Sequence, residues 1–398
     1  MEAQKYQIVK IIGIIGEHKN TAEFIIELSN GCFISGGSDN IIKIYDKDFE
    51  LLKEITDIKE PIYSCIERII LFKEYKNSYA IELLACGNIK LYQIFLSFKD
   101  KANIKIKYKN YEFPNIALKT CVQMRENNYA FIGENSIYVK DFLDSQNIHI
   151  NVSTFKELKG KTYLNSIRIN RNYIAITSNK IQDYGEDKLI FYNIEKNKIS
   201  REIEGYSFIS GANGLALIPS IETKSKNEII LCACKKYFDF QKNCIYLANV
   251  QLEDKQGIND TFYDTGNFEV FCFCFILKIN SNNDISEKGK EQKIEDTEYF
   301  FVGGFNTDRK EGEIKLFKVL YSEKEKDNKI EFVQNIEFER NKNFAGFEGA
   351  VSCIIQTKLE NKGYILVTCY SGKVYLLTQP NLDYYLKTKN TKNKEIKI

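Results

Sequence analysis

One short pattern recurs seven times along this chain and restricts its fold more than any other feature. It is a polar turn, four to six alternating β-branched and aromatic residues, then a polar residue. The copies are IIKIYDK from Ile41, NIKLYQI from Asn88, SIYVKDF from Ser136, KLIFYNI from Lys188, CIYLANV from Cys244, EIKLFKV from Glu313 and KVYLLTQ from Lys373. Alternation with a period of two is the mark of a strand whose faces meet different surroundings. The copies start about 47 to about 70 residues apart, near or above the roughly 40–50 residues of a repeated four-stranded unit.

Each copy follows a second apolar strand across a turn: CFISGGSDN, YAIELLACG, NYAFIGEN, YIAITSN, IILCACK, YFFVGGF and YILVTCYSG. Each of those follows a third, as in AEFIIEL, PIYSCIERI, IALKTCVQM, YLNSIRI, ANGLALI, EVFCFCFIL and AVSCIIQ. A more polar fourth strand, such as LLKEITDI or IEFVQNIEF, comes after each copy but the last. Four short strands parted by Gly, Asn, Asp and Ser turns make one antiparallel blade. The last unit lacks its fourth strand, and the chain opens with an unpartnered one, KYQIVKIIG. If the opening strand completes the last unit, a ring closes and no sheet edge is left at the seam. The expectation is an all-β, closed β-propeller of seven four-stranded blades over residues 1–386. A polar, basic tail follows over 387–398. The irregular stretch from Gln251 to Phe301 leaves room for an eighth blade.

Within the first unit, GEHKNTAEFIIELSNGCFISGGSDNIIKIYD (Gly16 to Asp46) resembles a repeat of the WD-repeat propeller family. That family has a His in the turn before the first strand, a Ser-Gly pair on the second, an Asp in the next turn and a Trp-Asp end to the third. Here His18, Ser35, Gly36, Asp39, Tyr45 and Asp46 stand at those places. The resemblance implies that His18, Ser35 and Asp39 form a hydrogen-bonded chain stiffening the blade, with Tyr45 at its end. The chain has no tryptophan, so a phenol hydroxyl would replace the indole N–H. The other six units match in strand pattern alone.

Composition narrows the function. The charge is balanced, 56 basic against 54 acidic side chains, whereas binding phosphate backbones or anionic lipid usually needs a basic field. Neither nucleic acid nor a membrane is expected as partner. No secretory leader is read in the opening segment, whose apolar run is short and broken by charge. The 11 cysteines are single or Cys-x-Cys inside apolar runs, which points to a reducing compartment and, with the missing leader, to the cytoplasm.

Catalytic chemistry is poorly supplied. There are two histidines, His18 and His149, and nucleophilic triads and most metal centres lean on that residue. The pairs Cys232/Cys234 and Cys272/Cys274 could each turn two thiols to one face, but small apolar packing is the plainer reading. Gly36–Gly37 and Gly303–Gly304 end strands and lack the setting of a phosphate loop. No catalytic residue, metal or cofactor is expected.

Binding surface is expected at the turns joining second to third strands. Three of these look long: Asn179–Asp187, Lys235–Asn243 and Phe305–Gly312. The middle one crowds Tyr237, Phe238 and Phe240 between polar residues, a composition enriched at protein interfaces. The polar stretch Asn280–Glu298 would project from the opposite face. The function expected is a non-catalytic adaptor that binds proteins or peptides as a monomeric propeller within a hetero-complex. The alternatives are a hydrolase with acidic or metal-binding residues at the central channel, and a reader of modified peptides using Arg171, Arg201 or Arg309.

Overall fold

The computed structural model describes residues 9–68, 79–98, 104–112, 118–125, 127–133, 136–142, 161–170, 172–180, 188–193, 195–196, 198–203, 206–208, 214–218, 228–236, 242–250, 261–276, 297–320, 329–338, 346–358 and 363–380. Their strands form seven antiparallel sheets. With β1 spanning Ile11–Glu17, the first sheet runs β2 (Ala22–Glu27), β3 (Phe33–Gly37), β4 (Ile42–Tyr45), β5 (Leu51–Ile55). The second runs β6 (Ile62–Arg68), β7 (Tyr79–Gly87), β8 (Lys90–Phe98), β9 (Ile104–Glu112). The third has β10 (Leu118–Arg125), β11 (Asn128–Gly133) and β12 (Ser136–Asp141) among the described residues.

The fourth sheet is β13 (Lys161–Arg168), β14 (Tyr173–Lys180), β15 (Lys188–Asn193), β16 (Lys198–Ile203). In the fifth, the short β17 (Tyr206–Phe208) and β18 (Leu215–Leu217) both pair with β19 (Glu228–Lys236), ahead of β20 (Lys242–Val250) and β21 (Thr261–Gly266). The sixth is β22 (Phe268–Phe275), β23 (Thr297–Asn306), β24 (Glu311–Leu320), β25 (Lys329–Asn335). The seventh joins β26 (Val351–Gln356), β27 (Ile365–Cys369) and β28 (Lys373–Leu377) to β1.

Each recurrent sequence copy is the third strand of its blade. The first strands meet in a circle: β26 touches β2, and contacts pass through β6, β10, β13, β18 and β22 back to β26. Seven sheets around that circle leave no eighth blade among the described residues. Leu, Ile, Val and aromatic side chains pack in the wedges between blades. One such cluster joins Phe24 and Ile44 of the first blade to Ile62 and Leu83 of the second.

Ring closure joins the two ends of the chain, with Ile11 opposite Leu377 and Glu17 opposite Lys373. The pairing lies further along than the opening stretch KYQIVKIIG suggested, starting at Ile11 and reaching Glu17. Gly16 gives one reason. A Cβ at that position would stand 2.1 Å from the Tyr45 hydroxyl, so only glycine lets β1 pass over the buried ring.

The second-to-third turn of the sixth blade also differs from expectation. Phe305–Gly312 is no long loop: β23 and β24 run on to a four-residue turn, Thr307–Lys310. Asn306 Oδ1 accepts from the backbone N–H groups of Asp308 and Arg309, both at 3.0 Å, and Lys310 takes the left-handed conformation at φ 56°. An Asx-type turn of this kind lets two long strands reverse without an insertion.

Candidate functional site

Two groups of side chains on the face of the second-to-third turns are candidates for function. The first is local to blade one. His18 Nδ1 lies 3.0 and 3.1 Å from the two Asp39 carboxylate oxygens, and a carboxylate can only accept, so Nδ1 carries a proton. Nε2 is 2.8 Å from Ser35 Oγ, which is in turn 3.3 Å from the Tyr45 hydroxyl. Asp39 also accepts from the backbone N–H groups of Lys19 and Ile41 at 3.0 and 3.2 Å, tying the turn that enters β2 to the β3–β4 turn. The structure thus brings His18, Ser35, Asp39 and Tyr45 into one chain of contacts.

Burial governs the electrostatics of this group. His18 is 2% exposed, and desolvation lowers its pKa below 6.5 despite the pull of Asp39. The ring is therefore neutral at pH 7, an N–H donor to Asp39 rather than its counter-ion. Burial likewise pushes the Tyr45 phenol up to about 12.

The second group lies at the starts of the first strands, which meet one another around the centre of the ring. In six of the seven first strands the register slips near the start: Ala22/Phe24, Ile62/Ser64, Leu118/Thr120, Tyr163/Asn165, Val270/Cys272 and Val351/Cys353. The extra residue of such a bulge is released from the ladder and re-aimed. In five of these blades it is Glu23, Tyr63, Lys119, Phe271 or Ser352.

Lys119 Nζ sits 3.9 Å from the centre of the Tyr63 ring, a cation–π pair linking the third and second blades. Phe271 meets Tyr370, just after β27, edge to face at 5.4 Å. The Thr21 hydroxyl donates to Glu23 at 2.7 Å. Desolvation raises the Glu23 pKa while Thr21 and the Lys119 charge lower it. Tyr370 in turn feels the charges of Glu23 and Glu269. Five blades thus contribute to one mixed rim of rings, one ammonium and a half-buried carboxyl.

The remaining expected residues fall elsewhere. Tyr237, Phe238 and Phe240 lie outside the described residues, as do His149, Arg171 and most of Asn280–Glu298. Arg201 is on the outer strand β16, over the Phe191 ring at 5.4 Å. Arg309 pairs with Glu313 at 3.2 Å in the β23–β24 turn. The two do not share a site. Among the described residues no three His, Cys, Asp or Glu side chains are grouped to hold a metal ion.

Sequence reasoning missed a buried polar cluster between the second and third blades. Arg68 donates to both Glu82 oxygens at 2.9 and 3.0 Å, and Gln93 donates to Glu82 at 2.6 Å. Beside them Lys140, with no hydrogen-bond acceptor for Nζ, stands 3.8 and 4.7 Å from the Tyr111 and Phe142 ring centres. Desolvation, helped by Arg68, brings its pKa down to about 8. Nothing in the alternation of SIYVKDF marks Lys140 as a cation that turns inward.

No protein-family model matches this sequence, and no curated protein matches it. Solved structures do. The β-propeller domain of Cps50 (Swd1) from Myceliophteria thermophila superposes with a TM-score of 0.55 at 12% identity, covering 93% of this chain and 99% of that one. The chain is a β-propeller. The Dos1 propeller gives a TM-score of 0.51 at 11% identity, over 90% of this chain and 78% of the other. These likenesses concern the path of the backbone. What the propeller does rests on its own side chains.

Proposed function

We propose that this propeller is a non-catalytic recognition platform that holds a protein or peptide partner at the channel mouth, as an adaptor-type subunit of a larger assembly. The rim supports the reading. Tyr63, Lys119, Phe271 and Tyr370 come from four blades, so a rigid ring pre-positions them and little ordering is needed on binding. Aromatic rings with a cation beside them are the groups from which interface hot spots are built. Glu23, disfavoured as an anion by desolvation, gains most from a partner that brings a Lys or Arg side chain to it. All 11 cysteines are free, which suits a reducing compartment such as the cytoplasm.

The test compares two variant sets in affinity capture from the native cell type, with mass spectrometry of what is recovered. One set replaces Tyr63, Lys119, Phe271 and Tyr370 by Ala; the other replaces Tyr237, Phe238 and Phe240 by Ser. Loss of the partner in the rim set, with an unchanged melting temperature, supports the mouth as the docking site. Recovery unchanged in the rim set and lost in the loop set moves the site to the β19–β20 connection. Full recovery in both rejects this face.

A further inference from the structure

Strands β19 and β20 pair without a bulge from Glu228 opposite Val250 to Lys236 opposite Lys242, which puts Cys234 directly opposite Cys244. Opposed residues of an antiparallel pair have Cα atoms about 4.5–5.5 Å apart, within the roughly 4.4–6.8 Å that a disulfide spans. Their sulfurs lie 3.3 Å apart and need to approach to about 2.0 Å for a bond. Backbone and side chains are thus set for a cross-link with little rearrangement. Both residues are buried, packed with Leu215, Phe191 and Tyr246.

We propose that Cys234 and Cys244 are a reversible oxidation site, closing to a disulfide under peroxide and reopening under thiol reductant. The step balances with hydrogen peroxide as the oxidant. One thiol loses its proton and the thiolate attacks a peroxide oxygen, breaking the O–O bond; hydroxide leaves and is protonated to water. The sulfenic acid formed is attacked by the second thiolate. An S–S bond forms, the S–O bond breaks, and a second water departs. Two thiols together give up two electrons and two protons, and one peroxide is reduced to two waters.

A soft metal ion is the competing chemistry for a dithiol, but it takes three or four ligands. Cys232 is on the same face, yet Tyr246 rather than a thiol stands opposite it. Among the described residues no third ligand completes such a group. Oxidation needs none. Burial, together with Cys244 alongside, holds the Cys234 thiol well above its usual pKa, so the reactive thiolate is scarce and the first step slow at neutral pH. The pair then answers to sustained oxidant rather than to a brief pulse. Closing it staples strands β19 and β20 to each other.

The test exposes the native full chain to hydrogen peroxide, blocks remaining thiols with an alkylating agent, and maps the digested peptides by mass. A cross-linked peptide joining Cys234 to Cys244, lighter by two hydrogen atoms and lost on reduction, is the expected result. With it, the melting temperature should rise by about 2–6 °C, as for a short native-geometry loop closure. Cys244→Ala should abolish both changes, with Cys234→Ala as the second variant should the first fail to fold. Both cysteines recovered alkylated after prolonged oxidation would overturn the proposal. So would their conversion to sulfinic acid, or disulfides formed between other cysteines in their place.

Discussion

The imidazole of His18 carries two opposed demands, a neighbouring carboxylate that favours its charge and a dry site that forbids it. Desolvation prevails and the folded pKa is lowered from 6.5. As pH falls through about 6.5 the unfolded chain takes up a proton that the folded one refuses. Stability should then drop, by up to about 1.4 kcal/mol per pH unit, until the folded ring itself titrates. Above that window the contribution is fully present. Urea unfolding of wild type and His18→Gln at about pH 7.5 and about pH 5.5 measures it. The wild type should lose the larger share, while equal losses would show that His18 is protonated in the fold. This group was legible because its members lie close in sequence and in a known motif. The rim was not: Tyr63 and Lys119 belong to different blades, and a bulge rather than the strand period aims them at each other.

Strand β1 shows what a pattern of alternation can and cannot specify. It announced that an opening strand exists, and the missing strand of the seventh blade said where it should go. The register was beyond reach, because KYQIVKIIG and IIGIIGE are both short apolar runs with no strict alternation to fix a pairing, and a strand reading has no view of the neighbour it crosses. Two register shifts, at Ile11/Gly13 and Ile14/Gly16, and the approach of Gly16 to Tyr45 set the pairing. The same blindness read Phe305–Gly312 as an inserted loop, since Asn306 turns the chain with its side chain rather than with a signature glycine. A double-mutant cycle tests the packing. Gly16→Ala should cost about 1–3 kcal/mol by overpacking, and Tyr45→Phe about 1 kcal/mol through the lost hydroxyl contact. The pair should cost less than their sum, by at least about 0.5 kcal/mol, because removing the hydroxyl relieves part of the clash. Strict additivity in denaturant titrations would mean that β1 does not lie over this ring.

At the scale of the whole molecule, a closed ring differs from a row of stacked blades in having no terminal sheet. Seven units could be counted in the sequence because each third strand repeats its alternation, even where the WD-type residues have gone. Closure could be inferred because one strand was missing and one was spare. The seam is held by short-range ties: the Lys10 backbone N–H donates to Thr378 Oγ1 at 2.9 Å, and the Thr378 backbone N–H donates to the Lys10 carbonyl at 2.8 Å. The Ser352 hydroxyl donates to the Ala22 carbonyl at 2.6 Å, joining the seventh blade to the first. Removing residues 1–17 would bare the edge of β28 and uncover Tyr45, whose neighbours in the wedge between these blades include Leu366 and Val374. An exposed flat edge pairs with other chains, so the truncated protein should elute as oligomers and lose its sharp melting transition. A synthetic peptide of residues 9–20, added in excess during refolding, should restore a monomeric peak and the cooperative melt, since the strand is needed for its pairing and not for its covalent link. A truncated chain that stays monomeric and melts like the wild type would show that the ring is held by the blade wedges alone, with the seam contributing little.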